Sequence, residues 1–385
     1  MPSSISPDAQ RLMFTEPGPR VQTTEQYLTS CRIEGTGSAD GTTISQASIT
    51  CSGPNTPVQL LLSQELQRYQ KGFSGVDVLP GFAEDSALVQ IQNAANLAIV
   101  DSVISNIPGN LVIQNSTVQV LRSTFILNSG AAAGAMTIQD SQITGQSSVG
   151  ITNTTFIGNV DGNSQGGAFA VAQGGLVQVV NSRFAANSAS RGGAIYSEGA
   201  SLTIMNSQFN GNTATTTGGA MYVAQQSALT ILNSTFSGNI AGGLGGAVAV
   251  DTSQATVGGS VFSDNSAKSQ GGALYQTNTT GDVTTCTFMS NTALNGGAIY
   301  QNMASGNILR TAFTDNIAGQ KGGALFGETS TGNIMNSTFT MNRASQAGGA
   351  VFLNNCASSM SFSVFTLNDA GQGSGGAVYR VAGFT

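Results

Sequence analysis

The stretch Leu202-Thr203-Ile204-Met205-Asn206-Ser207-Gln208-Phe209-Asn210-Gly211-Asn212-Thr213-Ala214, followed by Gly218-Gly219-Ala220-Met221-Tyr222, is one unit of a repeat. Its Phe-x-x-Asn element occurs ten times, beginning at Phe125, Phe156, Phe184, Phe209, Phe236, Phe262, Phe288, Phe313, Phe339 and Phe365. Its Gly-Gly-Ala element occurs nine times, with the Ala at 168, 194, 220, 247, 273, 298, 324, 350 and 377. After a longer first step, successive units lie 25 to 28 residues apart. Three short strands and three turns consume about that length, whereas leucine-rich or helical repeats need signatures that are absent. The period predicts an all-β, right-handed parallel β-helix with three strands per coil.

Stacking such coils turns each repeated residue into a column with rungs about 4.8 Å apart. The Phe column fills the interior, and the Asn column forms an amide ladder at a corner. The residue after Gly-Gly-Ala is always apolar, from Phe169 and Ile195 to Val351 and Val378, and points inward. Alternation then turns the next position outward. Tyr196, Tyr222, Tyr275, Tyr300, Phe326, Phe352 and Tyr379 form one exposed stripe, interrupted at Ala249, and this is the expected binding face.

Outward from the repeat, the chain divides in two. All eight prolines lie between Pro2 and Pro108, as suits a lead-in followed by uninterrupted strand ladders. Residues 1–84 read as an irregular cap, and 85–385 as the β-helix, regular from about 125. Thr56-Pro57-Val58-Gln59 has the form of a helix start. With Val58, Leu62, Leu66 and Tyr69 at helical spacing it predicts a short helix near 57–70. Cys31 and Cys51 bracket a turn-rich stretch and are expected to pair in an oxidising compartment. The chain ends on a repeat strand, Gly375-Gly376-Ala377-Val378-Tyr379, with no cap behind it. The expectation is a truncated solenoid whose last coil is continued, or covered by a neighbouring subunit.

Only 8% of the residues are charged, and the wetting groups are Ser, Thr, Asn, Gln and Gly. That surface suits an extracellular or cell-surface β-solenoid. The net charge is -6 and the 13 Lys plus Arg are scattered, so no nucleic-acid partner is expected. His is absent, which removes the commonest general base and metal ligand. No cofactor or metal is expected, and no apolar run is long enough to span a bilayer. The first 20 residues lack the basic-then-apolar pattern of a secretory signal.

The alternating Phe-x-x-Asn and Gly-Gly-Ala-aliphatic motifs over 125–380 resemble the repeats of the chlamydial polymorphic outer membrane proteins. The resemblance implies an autotransporter passenger acting as an adhesin, without the signal peptide and membrane barrel.

Enzymes on β-helices need clustered carboxylates with a basic group on one face. Asp264 and Asp315 hold the same corner position two coils apart, and Glu198, Asp251 and Glu328 form a second sparse column. Neither column contains a basic partner, so both read as solvated acids and no catalytic residue is assigned. Gly242-Gly243-Leu244-Gly245-Gly246-Ala247 mimics a calcium-binding repeat but has Ala247 where the ligand belongs. Cys286 and Cys356 occupy different coil positions and read as buried thiols. The sequons at Asn115, Asn153, Asn233 and Asn336 read as ladder amides, and Asn278 as a loop residue. The expected function is therefore non-enzymatic, adhesin-like or structural, with a protein or glycan surface as partner. A polysaccharide hydrolase or lyase is the alternative. An ordered-surface binder would need a regular Thr ladder, which the sequence lacks.

Overall fold

The structure, a computed structural model, describes residues 110–381 except 131–132, 140–146 and 163–164, and before them the backbone of strand segments between 10 and 105. The chain winds as a right-handed parallel β-helix of about 10 coils. One coil consists of β1 (Ser201–Met205), β2 (Gln208–Asn210), β3 (Thr213–Thr217) and β4 (Met221–Ala224). Each strand pairs in parallel with its equivalent one coil on: Ile204 with Ile231, Phe209 with Phe236, Thr213 with Ile240, Met221 with Val248. Repetition builds four sheets of 13, 11, 9 and 15 strands, containing β1, β2, β3 and β4 respectively. The fourth strand exceeds the three expected. It arises because Gly211 turns at φ +62° and divides what reads as one run into β2 and β3.

Inward positions follow the repeat. Among the described residues ten Phe rings are fully buried, nine of them in the Phe-x-x-Asn column, and consecutive rings of that column stack at 4.6–5.1 Å between centroids, within 2–9° of parallel. Beside them each ladder Asn donates its Nδ2 to the Oδ1 of the Asn one coil on, as Asn212 does to Asn239 at 2.9 Å. The same Nδ2 donates to a carbonyl of the preceding coil, and the Oδ1 also accepts a backbone N–H, so the buried amide is satisfied. A hydroxyl column, Ser182-Ser207-Ser234, accepts backbone N–H groups in the same manner. Cys286 stands in this column, and Cys356 in a second one after Ser330. Each thiol replaces a hydroxyl, and burial pushes Cys286 up to about 11.

The Gly-Gly pair makes the corner between β3 and β4. Gly218 adopts φ +67°, which penalises any side chain. At Gly219 a Cβ would lie 1.9 Å from the Gly246 carbonyl oxygen of the next coil, so the second glycine is required by close approach.

The expected helix near 57–70 is not found in its first turn. Pro57–Leu60 is a strand paired in parallel with residues 96–99, and 61–70 lie outside the described residues. Register decides it: Val58 meets Leu97 and Leu60 meets Ile99, a period-2 match that a lone helix start cannot offset. Backbone pairing also sets Cys31 opposite Cys51 on two antiparallel strands; their side chains lie outside the described residues.

Candidate functional site

The outer face of the β4 sheet carries the expected aromatic column. Parity is as alternation requires, since Met221 and Val223 are buried in the main core while Tyr222 belongs to a separate cluster. The exposure is not. Tyr196, Tyr300, Phe326 and Phe352 are only 3, 4, 8 and 4% exposed, and Tyr222, Tyr275 and Tyr379 are half-buried. Two features cover them. Consecutive rings stack on one another, Tyr275 on Tyr300 at 5.5 Å and Tyr300 on Phe326 at 4.9 Å, which consumes their faces. The Gly-Gly corner also folds the end of the β3 sheet against them, so that Ala347 packs in the same cluster. The stripe is the floor of a corner, with edges and hydroxyls as its accessible parts. Ala249, where a ring is missing, is fully buried, so the interruption is not an open slot.

The wall of that corner is the residue preceding each Gly-Gly pair, and two of these are cations. The Arg191 guanidinium lies 5.3 Å from the Tyr196 ring centre and 5.7 Å from that of Tyr222. Lys321 Nζ lies 4.9 Å from the Phe352 ring centre. On the other side of the rings, two residues further along each strand, runs the column Glu198, Ala224, Asp251, Thr277, Asn302, Glu328, Asn354. The Tyr196 hydroxyl donates to Glu198, and Tyr300 donates to Glu328 Oε2 at 2.7 Å. Burial, then the neighbouring carboxylate, holds both phenols well above their usual range. Tyr222 is raised by burial and by the Asp251 charge, against a lowering by Arg191.

One place in this strip gathers several reactive groups. Glu198 and Asp251 flank Ala224 in the same column, so their Cα atoms are two rungs, about 10 Å, apart. Tyr222, Tyr196 and Arg191 stand beside them. Ala224 is small and buried, while Glu198 and Asp251 on either side of it are partly exposed.

The other acid pair has no such surroundings. Asp264 and Asp315 are exposed and sit at φ +56° and +53° in the corner between the β2 and β3 sheets, a conformation that favours Asp, Asn and Gly. The sequon asparagines are likewise corner residues, not ladder members. Asn153, Asn233, Asn278 and Asn336 are exposed at φ +49° to +52°, and Asn115 shares the conformation. The Ser or Thr that follows Asn153, Asn233 and Asn336 belongs to the buried hydroxyl column, so a sequon arises wherever the next outward residue is Thr. Ala247, in the calcium-like stretch, is fully buried.

Sequence reasoning missed Arg191 because it compared residues within columns, and Arg191 reaches the Tyr196 and Tyr222 rings from a neighbouring column across the corner. A usable signal existed: Arg191 and Lys321 are the only two cations that directly precede a Gly-Gly-Ala element.

A family model described as "Right handed beta helix region" matches residues 131–279 and 219–382, more than half of the chain. No curated protein matches the sequence. Among solved structures, a periplasmic alginate epimerase, a double mutant, is similar at a TM-score of 0.39 and 9% identity, over 83% of this chain and 78% of that one. Among the described residues no helix is long and apolar enough to cross a membrane. The expectation that this chain is not an enzyme is overturned. It rested on acid columns without a basic partner, whereas the Tyr196 ring beside the Arg191 guanidinium also donates its hydroxyl to Glu198, and the chain matches a right-handed β-helix family model.

Proposed function

This chain belongs to the right-handed β-helix family, and from that premise we propose that it is a carbohydrate-active enzyme that holds a linear polysaccharide along the outer β4 corner and hydrolyses it. The observation that carries the reading is the placement of Glu198 and Asp251 on either side of Ala224, with Tyr222, Tyr196 and Arg191 adjoining. Inverting glycosidases keep two carboxyl groups about 6.5–9.5 Å apart, leaving room for one water. A two-rung separation of about 10 Å between Cα atoms brings flexible Asp and Glu side chains into that range. One carboxyl group protonates the leaving glycosidic oxygen as the C–O bond breaks. The other takes a proton from the water whose oxygen bonds to the anomeric carbon from the opposite face. Tyr196 fixes the Glu198 carboxylate by its hydrogen bond, and Arg191 supplies the positive charge that the acid column lacks.

The rest of the strip suits a sugar polymer. Phenol hydroxyls, Thr277, Asn302, Glu328 and Asn354 offer hydrogen bonds at successive rungs, with apolar ring edges between them. The neutral polar composition and the motif likeness to chlamydial surface proteins support an extracellular or periplasmic location.

The test is incubation with a panel of linear polysaccharides, following reducing ends and the anomeric form of the product. Glu198→Gln and Asp251→Asn should each lower kcat by about 10²–10⁴-fold with an unchanged melting temperature. Turnover that survives both substitutions, or binding to every polymer without product, would remove the hydrolase reading.

A further inference from the structure

We infer that the polysaccharide taken by this strip is electrically neutral, a hydroxyl-bearing polymer without uronate, sulfate or free amino groups. The inference rests on the reading above that the strip holds a glycan, and adds to it the charge class. Between Arg191 and Asn354 the strip and its wall carry three acids, Glu198, Asp251 and Glu328, and two cations, Arg191 and Lys321, for a net charge of -1. The remaining positions of the outer column, Ala224, Thr277 and Asn302, are neutral, as are the wall residues Thr217, Leu244, Gln270 and Asn295.

Neither sign of charge forms a track. A polyuronate brings one negative charge per sugar and needs a cation at most rungs to offset desolvation and repulsion. The strip offers two, and both are held beside rings, Arg191 by Tyr196 and Tyr222, Lys321 by Phe352. No wider basic field compensates, because the whole chain is at -6. A polyamine sugar fares little better. The three acids are spread over six rungs, and each already accepts a hydrogen bond: Glu198 from Tyr196, Asp251 from Thr252, and Glu328 from Tyr300 and Asn354. Carboxylates pinned in this way keep lone pairs for sugar hydroxyls, with which they form charge-assisted hydrogen bonds that need no counter-charge.

The experiment measures binding of the full chain to a neutral β-linked glucan, a xylan and an N-acetylglucosamine oligomer, and to a polyuronate and a polyglucosamine, at low and high salt. At least one neutral polymer should bind with an affinity that changes less than about twofold with salt, since exposed charge contributes little to it. The polyuronate should bind roughly tenfold more weakly or not at all. A polyuronate or polyglucosamine that binds more tightly than every neutral polymer, and is released by salt, overturns the inference. If such a charged polymer is also cleaved, and Glu198→Gln abolishes the cleavage, the hydrolase reading stands and the charge class alone falls. Failure to bind any of the five removes both.

Discussion

The molecule contains two aromatic ladders built on the same rungs, and they differ in what surrounds them. The inner one is all Phe, runs unbroken from Phe125 to Phe365, and stacks at 4.6–5.1 Å. The outer one mixes Tyr with Phe, stacks more loosely at 4.9–5.6 Å, and skips a ring at Ala249. Inside, a missing ring leaves a cavity bounded by side chains already at close packing. Outside, the corner can close over a missing ring, and a phenol hydroxyl can reach a carboxylate. Stacking alone therefore does not demand uniformity; enclosure does.

That difference can be broken open by mutation. Phe236→Ala should destabilise the chain by about 3–5 kcal/mol, the cost of a large-to-small change in a closed core. Tyr275→Ala, at a half-buried rung, should cost about 1–2 kcal/mol. Denaturant melts of the two variants measure both, and equal losses would show that the outer ladder is as enclosed as the inner.

Alkaline titration sharpens the contrast, because only the outer ladder ionises. Tyr196, Tyr222, Tyr275 and Tyr300 are all raised in the folded chain, by burial first. Above a pH of about 10 the unfolded chain releases phenol protons that the folded chain retains, so unfolding is favoured. Stability should begin to decline near pH 9, where the raised Cys286 thiol adds its own share, and fall more steeply above about 10. Replacing Tyr196 and Tyr300 by Phe should flatten the fall, read as the melting temperature against pH.

The smallest effect is expected from the exposed pair. Asp264→Asn with Asp315→Asn should leave both turnover and melting temperature within error, since Asn suits the same corner conformation. A loss of turnover would move the chemistry from the outer β4 face to the corner between the β2 and β3 sheets.

Much of this was legible in the residues. Periodicity carries axial information, so the coil, the Phe and Asn columns and the outward parity of Tyr222 all follow from counting. Periodicity is silent about the angle between sheets. The burial of Tyr300 and the approach of Arg191 to Tyr196 depend on how sharply the Gly-Gly corners turn the chain, and no spacing encodes that. The short strand Pro57–Leu60 shows the same limit from the other side: its local pattern fits a helix, and its partner at 96–99 settles the matter from a distance.

The asparagine ladder has a direction. From Asn128 to Asn368 all nine side-chain links run the same way, each amide nitrogen giving its proton to the oxygen one coil further along. The amide dipoles therefore add head to tail, and each link polarises the next. Reversing a single amide would set oxygen against oxygen on one side and hydrogen against hydrogen on the other. The row behaves like a line of dominoes, oriented as a whole, with its order handed from one coil to the next.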